Sequence, residues 1–183
     1  MRGSWPLILA LWGAGLGAAM QYAKISVIYD LLGQIYPDSG VALGWLVSMV
    51  GGIGILLGVV AAMLVARVRY RRALLGALWL GALVSAAQAL LPALPVMLGL
   101  RLVEGLSHLA IVVAAPTLIA QIATDRQRGL ALTLWGTFFG VAFAVMAWGG
   151  RPLALAAGVP ALFVLHAAYM AGFALYLAPR LRT

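Results

Sequence analysis

Arg101, Glu104 and His108 follow one another at three and four residues within the apolar stretch 98–121, LGLRLVEGLSHLAIVVAAPTLIAQ. On a helix such spacings fall on one side, so a guanidinium, a carboxylate and an imidazole form a stripe one residue wide. Groups in that order can relay a proton or exchange partners with an anion, as ionisable chains do along paths through membranes. Holding one at mid-bilayer costs roughly 2.5–3.5 kcal/mol on insertion scales, so each is a candidate site. With about 1.5 Å rise per residue and an outer boundary near Val96, they come roughly 7, 12 and 18 Å below the outer surface, which puts His108 close to mid-bilayer. Two readings of Arg101 and Glu104 stand: a working pair that changes partners, or a static pair that pins two helices while long side chains snorkel outward. For His108 the choice lies between a proton relay and a hydrogen bond across a helix interface.

A second set lies near the N-terminus, where Gln21, Tyr22, Lys24 and Asp30 interrupt an apolar run. Counted from an inner boundary near Leu7, Lys24 comes roughly 25 Å deep, in the outer third of a core about 30 Å thick and level with Arg101 and Glu104. Lys24 and Asp30 are six residues apart and lie on different sides of their helix, which argues against a direct pair. Tyr22, Ser26 and Tyr29, at i, i+4 and i+7, can form a hydrogen-bonding wall. Tyr29 also reads as an interfacial anchor, as do Trp5, Trp45, Trp148 and Tyr176.

The elements that carry these residues follow from composition. With 65% hydrophobic and 9% charged residues in 183, the chain departs from soluble domains, which are about half apolar and about a quarter charged; its surroundings are a lipid bilayer. The net charge of +8 does not indicate nucleic acid, because the arginines punctuate apolar runs instead of forming a basic face with interleaved aromatics. No cysteine is present, hence no disulfide, thiolate metal site or thiol nucleophile. Ser107 adjoins His108 and points elsewhere on a helix, and phosphate-loop, dinucleotide and metal-ligand spacings are missing. An enzyme, a metal and a cofactor are therefore not expected.

The apolar run 5–23 exceeds a signal-peptide core of 7–15 residues and reads as a retained first span. Cutting at charges and turn residues gives one all-α, polytopic domain over 1–183 with six spans: 5–32, 41–66, 73–91, 96–121, 130–149 and 158–177. Arg151 and Pro152 are expected to break the fifth. Gly13-x-x-x-Gly17, Gly136-x-x-x-Gly140 and the series Gly51, Gly54, Gly58 have the small-residue spacing that lets helices approach closely. Positively charged loops stay cytoplasmic. With the N-terminus inside, the inner segments hold Arg2, Arg67, Arg69, Arg71, Arg72, Arg126, Arg128, Arg180 and Arg182, against Arg151 outside. Nine to one predicts both termini cytoplasmic, in an inner or plasma membrane.

At these residues the chain resembles the N-terminal half of a major facilitator superfamily transporter, across all six spans. Arg101-Leu102-Val103-Glu104-Gly105 is similar to the superfamily's fourth-helix motif Arg-x-x-Gln-Gly, with Glu104 in place of glutamine. The loop ARVRYRR, 66–72, stands where the signature Gly-x-x-x-Asp-Arg-x-Gly-Arg-Arg lies. Aligned on Arg67, Ala62 replaces the first glycine, Ala66 the aspartate and Arg69 the later glycine. The resemblance implies inner-loop gating by Arg67, Arg71 and Arg72, without the aspartate that helps hold the gate in the family. DRQRG, 125–129, resembles the basic loop before the fifth helix. That helix has Gly140-Val141 where drug antiporters carry Gly-Pro, so drug export of that type is not implied. Arg-x-x-Glu-Gly, AAPTLIAQ and LWGTFFG together are similar to the branch of cyanate- and nitroimidazole-type carriers.

The resemblance implies a secondary transporter of a small solute, working by alternating access, with the motif arginine associated with proton coupling. Helices one and four line the family's central cavity, so Lys24 is expected to face Glu104 and Asp30 to approach Arg101. The sixth helix supports the cavity, and His166 reads as core packing. The charges of Arg101 and Lys24 suit a carboxylate or other small organic anion, with H+ coupled through Glu104. The superfamily has twelve helices in two halves, and this chain supplies one. An even span count with both ends inside lets a second copy insert in the same orientation and stand in for the other half. The alternative is a fragment, or an assembly partner of another membrane protein.

Overall fold

A computed structural model of the chain describes residues 4–181, so Arg2 and Arg182 lie outside the described residues. Among those described, helices account for every regular element: α1 (Trp5–Val27), α2 (Tyr29–Ile35), α3 (Ala42–Val68), α4 (Tyr70–Gln88), α5 (Leu94–Ile122), α6 (Asp125–Gly136), α7 (Phe138–Val145), a π-helical turn (Met146–Gly150), α8 (Arg151–Ala157) and α9 (Val159–Leu177). Five stretches are long and apolar enough to cross a membrane: α1, α3, α5, the run Phe138–Ala157 and α9. The helix α4 is not among them, because its first turn is spent on Arg71 and Arg72.

The bundle is built around α1, which packs against α5, α7 and α9 and buries sixteen of its 23 residues. Its small residues allow this. At Gly17 an added Cβ would stand 2.6 Å from Met170 Sδ, and the Phe173 ring occupies the corresponding place over Gly13. Lipid tails are as apolar as leucine, so close packing and hydrogen bonds hold such helices together. By contrast α3 buries four of 27 residues, Leu43, Leu46, Val50 and Val65. It leans on α5, where Gly105 admits Ile53, and leaves Ile55, Leu56, Val59 and Met63 exposed. Of its glycines, Gly51 meets the Tyr22 hydroxyl, but nothing lies within 4 Å of a Cβ at Gly54 or Gly58, nor at Gly136 or Gly140. Tight packing was expected at all of these; within one copy, Gly54, Gly58, Gly136 and Gly140 face open space.

Two boundaries differ from expectation. The first span does not run unbroken to 32: the backbone leaves the helical region at Ile28 (φ −117°, ψ 18°) and α2 resumes beyond it. Arg151 and Pro152 do not end the fifth span. A π-helical turn before them carries the helix on, and Pro152 falls in the first turn of α8, where its missing N–H is tolerated. The reversal comes at Gly158, whose φ of 88° suits glycine. The α3–α4 joint is made by Arg69 at φ 73°. That left-handed backbone normally needs glycine, and Arg69 is the position at which the signature loop carries one.

Charge is distributed unevenly between the ends. Arg67, Arg69, Arg71 and Arg72 join α3 to α4, Arg126 and Arg128 start α6, and Arg180 follows α9. A hydrogen bond from Arg71 Nη2 to Ala178 O (2.8 Å) ties the α4 and α9 ends together. At the opposite end, which carries Asp30, Asp38 and Arg151, Tyr36 donates to Pro92 O (2.7 Å).

Candidate functional site

Along α5 and α9 the two apolar clusters of the core are separated by a polar layer. Gln21, Lys24, Ser85, Gln88, Arg101, Glu104, Ser107 and His166 are all buried there. The layer contains three charges. Glu104 Oε1 lies 2.6 Å from Lys24 Nζ, Glu104 Oε2 meets Arg101 Nη1, and all three side chains are fully enclosed. Lys24 thus faces Glu104, as the sequence led one to expect. Removing charges from water is costly, and the cost is repaid only where geometry and further hydrogen bonds are good.

Here the further bonds are numerous. Gln88 Nε2 donates to Glu104 Oε2 (2.8 Å), while its Oε1 accepts from Lys24 (2.7 Å). Lys24 also reaches Ser85 Oγ (2.9 Å) and His166 Nδ1 (3.2 Å), so three ammonium hydrogens face four acceptors. His166 Nε2 lies 3.0 Å from Gly17 O, and a carbonyl only accepts, so Nε2 carries a hydrogen and Nδ1 of the neutral ring accepts from Lys24. Ser85 spends its one hydrogen on Phe163 O (2.9 Å). Arg101 donates to Leu46 O (2.6 Å) and Gln21 O (2.8 Å), tying α5 to α3 and α1. Arg101 Nη2 and Gln21 Oε1 have no hydrogen-bond partner among the described residues. With two cations and one carboxylate, the layer carries one positive charge in excess when Lys24 is protonated.

His108 is set apart from this layer. One helical turn past Glu104, its Nδ1 donates to Ala18 O (2.9 Å), and its ring meets the edge of Tyr22 with centroids 5.0 Å apart. Phe139 of α7 completes the group, 5.6 Å from Tyr22 and 6.3 Å from His108. These rings are partly open at the bundle surface. Ser107 points away from His108, donating to Ala77 O (2.7 Å) and accepting from Gln21 Nε2 (3.0 Å). The wall expected of Tyr22, Ser26 and Tyr29 does not form a hydrogen-bonded row: Ser26 Oγ turns back to Tyr22 O (3.1 Å).

Asp30 does not approach Arg101. Beyond the break at Ile28 it forms a two-pronged pair with Arg151 (2.7 and 2.9 Å), and Arg151 also caps Val27 O (2.6 Å). The arginine holds the Asp30 carboxyl down at about 2. Arg151 reaches it because the π-helical turn carries the fifth helix past position 150. Among the described residues Arg67, Arg71 and Arg72 have no ion pair; the pair at their end of the bundle is Arg128–Asp125 (3.1 Å), largely exposed.

Sequence reasoning did not assign Ser85, Gln88, Ser107 or His166 to this layer. A signal existed for two of them: Ser85 and Gln88 are three apart, on one face of α4, and a buried ammonium needs acceptors.

The family model described as Major Facilitator Superfamily matches residues 7–183. Neither the curated proteins nor the solved structures contain a match.

Proposed function

The chain belongs to the major facilitator superfamily, a family of small-solute transporters, and from that premise we propose that it is a secondary transporter of a small organic anion, coupled to protons through Glu104. The observation that carries this reading is the enclosed layer in which one carboxylate is shared by Lys24 and Arg101. Glu104 touches both cations and Gln88 at once, so a proton arriving there loosens contacts among α1, α4 and α5 together. Such a change in partners is what alternating access requires, and a static pair that only pins the helices would leave transport independent of the Glu104 charge.

The membrane is the inner or plasma membrane, with α4 crossing it as the third of six spans and both termini cytoplasmic. Seven described arginines at one end of the bundle, with Arg151 alone at the other, support that orientation. The working unit is a pair of copies. Gly54 and Gly58 of α3, and Gly136 and Gly140 in and after α6, leave open the small-residue surfaces that helix pairs use. A complementary half from another chain would fit the same surfaces and is the second reading.

Purified protein in liposomes tests both levels. A pH gradient, acid outside, should drive uptake from a panel of small organic acids, and Glu104→Gln should abolish the drive while leaving a folded protein. A strict monomer by mass in mild detergent, inactive in liposomes, would reject the paired transporter.

A further inference from the structure

Lys24 and Arg101 are sealed within the bundle, so in this conformation they touch no solute. What a solute meets is the group of rings at the surface. We propose that Tyr22, His108 and Phe139 form a seat for an aromatic carboxylic acid, bound in its undissociated form. This rests on the organic-acid reading above and narrows it to one structural class.

Two polar atoms define the seat. Because Nδ1 of His108 donates to Ala18 O, Nε2 of the neutral ring is a bare acceptor, and no described residue bonds it. The Tyr22 hydroxyl also lacks a hydrogen-bond partner among the described residues; it lies over Gly51, where a Cβ would stand 2.7 Å from it. Surfaces turned to lipid do not leave such groups unsatisfied, because hydrocarbon offers no hydrogen bonds. His108 stands near the middle of α5 (Leu94–Ile122), far from headgroups, so the two atoms call for a hydrogen-bonding partner that the lipid does not supply.

Their chemistry selects the ligand. One acceptor beside one hydroxyl matches an undissociated carboxyl, whose O–H donates to Nε2 and whose C=O accepts from Tyr22. The remaining surface is ring. Phe139 stacks on Phe143 (5.6 Å, 23°), meets Tyr22 at a tilt and His108 and Phe138 edge-to-face, and is still 36% exposed, which leaves ring surface on which a planar ligand can rest. The charged groups that face His108 are Glu104 and Arg101 of its own helix. From α1 it meets Tyr22, and from α7 Phe139.

Calorimetric titration of the full chain in nanodiscs provides the test, with benzoic acid as probe and cyclohexanecarboxylic acid and benzamide as comparators. Benzoic acid should bind roughly three- to tenfold tighter than the saturated acid, the value of a ring contact. Its affinity should fall as pH rises above the acid's own range. Benzamide, which keeps the donor and acceptor without an ionisable proton, should show no such fall as pH rises. Phe139→Leu, which preserves apolar bulk, should erase the preference for the ring, and His108→Gln should weaken all three ligands. Equal binding of the two acids, an unchanged preference in Phe139→Leu, or tighter benzoic acid binding at high pH would overturn the seat. Uptake of aliphatic acids without aromatic preference overturns the seat and leaves the transporter standing. Benzoic acid binding without any flux does the reverse.

Discussion

Glu104 Oε1 and Lys24 Nζ lie 2.6 Å apart, in side chains from α5 and α1 that are both fully buried. The carboxylate is also claimed by Arg101, so the two helices at the centre of the bundle are joined through one anion serving two cations. That imbalance orders the consequences of substitution.

Lys24→Met leaves a neutral Arg101–Glu104 pair, whereas Glu104→Gln leaves two cations facing each other. Stranding a buried charge costs about 3–5 kcal/mol, against about 1–3 kcal/mol for the acceptors orphaned by losing Lys24. Thermal unfolding in detergent should therefore rank Lys24→Met above Glu104→Gln. Equal losses would mean that the layer is wet enough to screen its charges.

Arg69→Gly should stabilise the protein. Arg69 holds φ 73° at the α3–α4 joint, a strain of about 1–3 kcal/mol for a residue with a Cβ. Glycine relieves it at an entropic cost of roughly 0.5–1 kcal/mol, for a net gain of about 1 kcal/mol. A higher melting temperature checks this, and a lower one would show that the guanidinium contributes more than the backbone strain removes.

The Asp30–Arg151 pair should make its contribution depend on pH in one direction. The folded carboxyl titrates at about 2, below its ordinary 3.8, so folding favours the ionised form. The stabilisation is complete above the ordinary aspartate range and is lost as pH falls from about 4 toward 2. Asp30→Asn should lower the melting temperature slightly at pH 7, with the difference from wild type vanishing near pH 2. A difference that persists there would contradict the pairing.

Gly58→Leu should disturb assembly and leave the single copy folded, because nothing lies within 4 Å of a Cβ at that position. Native mass in mild detergent reads it out: the paired form should decrease while the unfolding temperature of the monomer stays put. A destabilised monomer would place Gly58 against its own chain instead.

The charged core was legible because Lys24, Arg101 and Glu104 stand out against apolar runs, and helix periodicity fixed their depths well enough to match Lys24 to Glu104. The rest of the layer was not, since Ser85, Gln88, Ser107 and His166 are ordinary residues within membrane helices and acquire meaning only from what they face. The partner of Asp30 depended on a helix break at Ile28 and a π-helical turn before Arg151, and both are set by packing, without a local sequence mark. Pro152 misled because proline ends a helix from within but is accepted in a first turn. The glycines show the same limit: Gly13 and Gly17 pack inside the bundle, Gly54 and Gly58 do not, and the spacing is identical.

Proton movement in liposomes tests the central claim most directly. With an internal pH dye and an outward-applied pulse of mixed small acids, benzoate and acetate first, the wild type should move protons with solute. Glu104→Gln, verified as folded by its unfolding transition, should lose the part of the proton movement that exceeds protein-free liposomes. Proton flux in Glu104→Gln equal to wild type would contradict the assignment of coupling to Glu104.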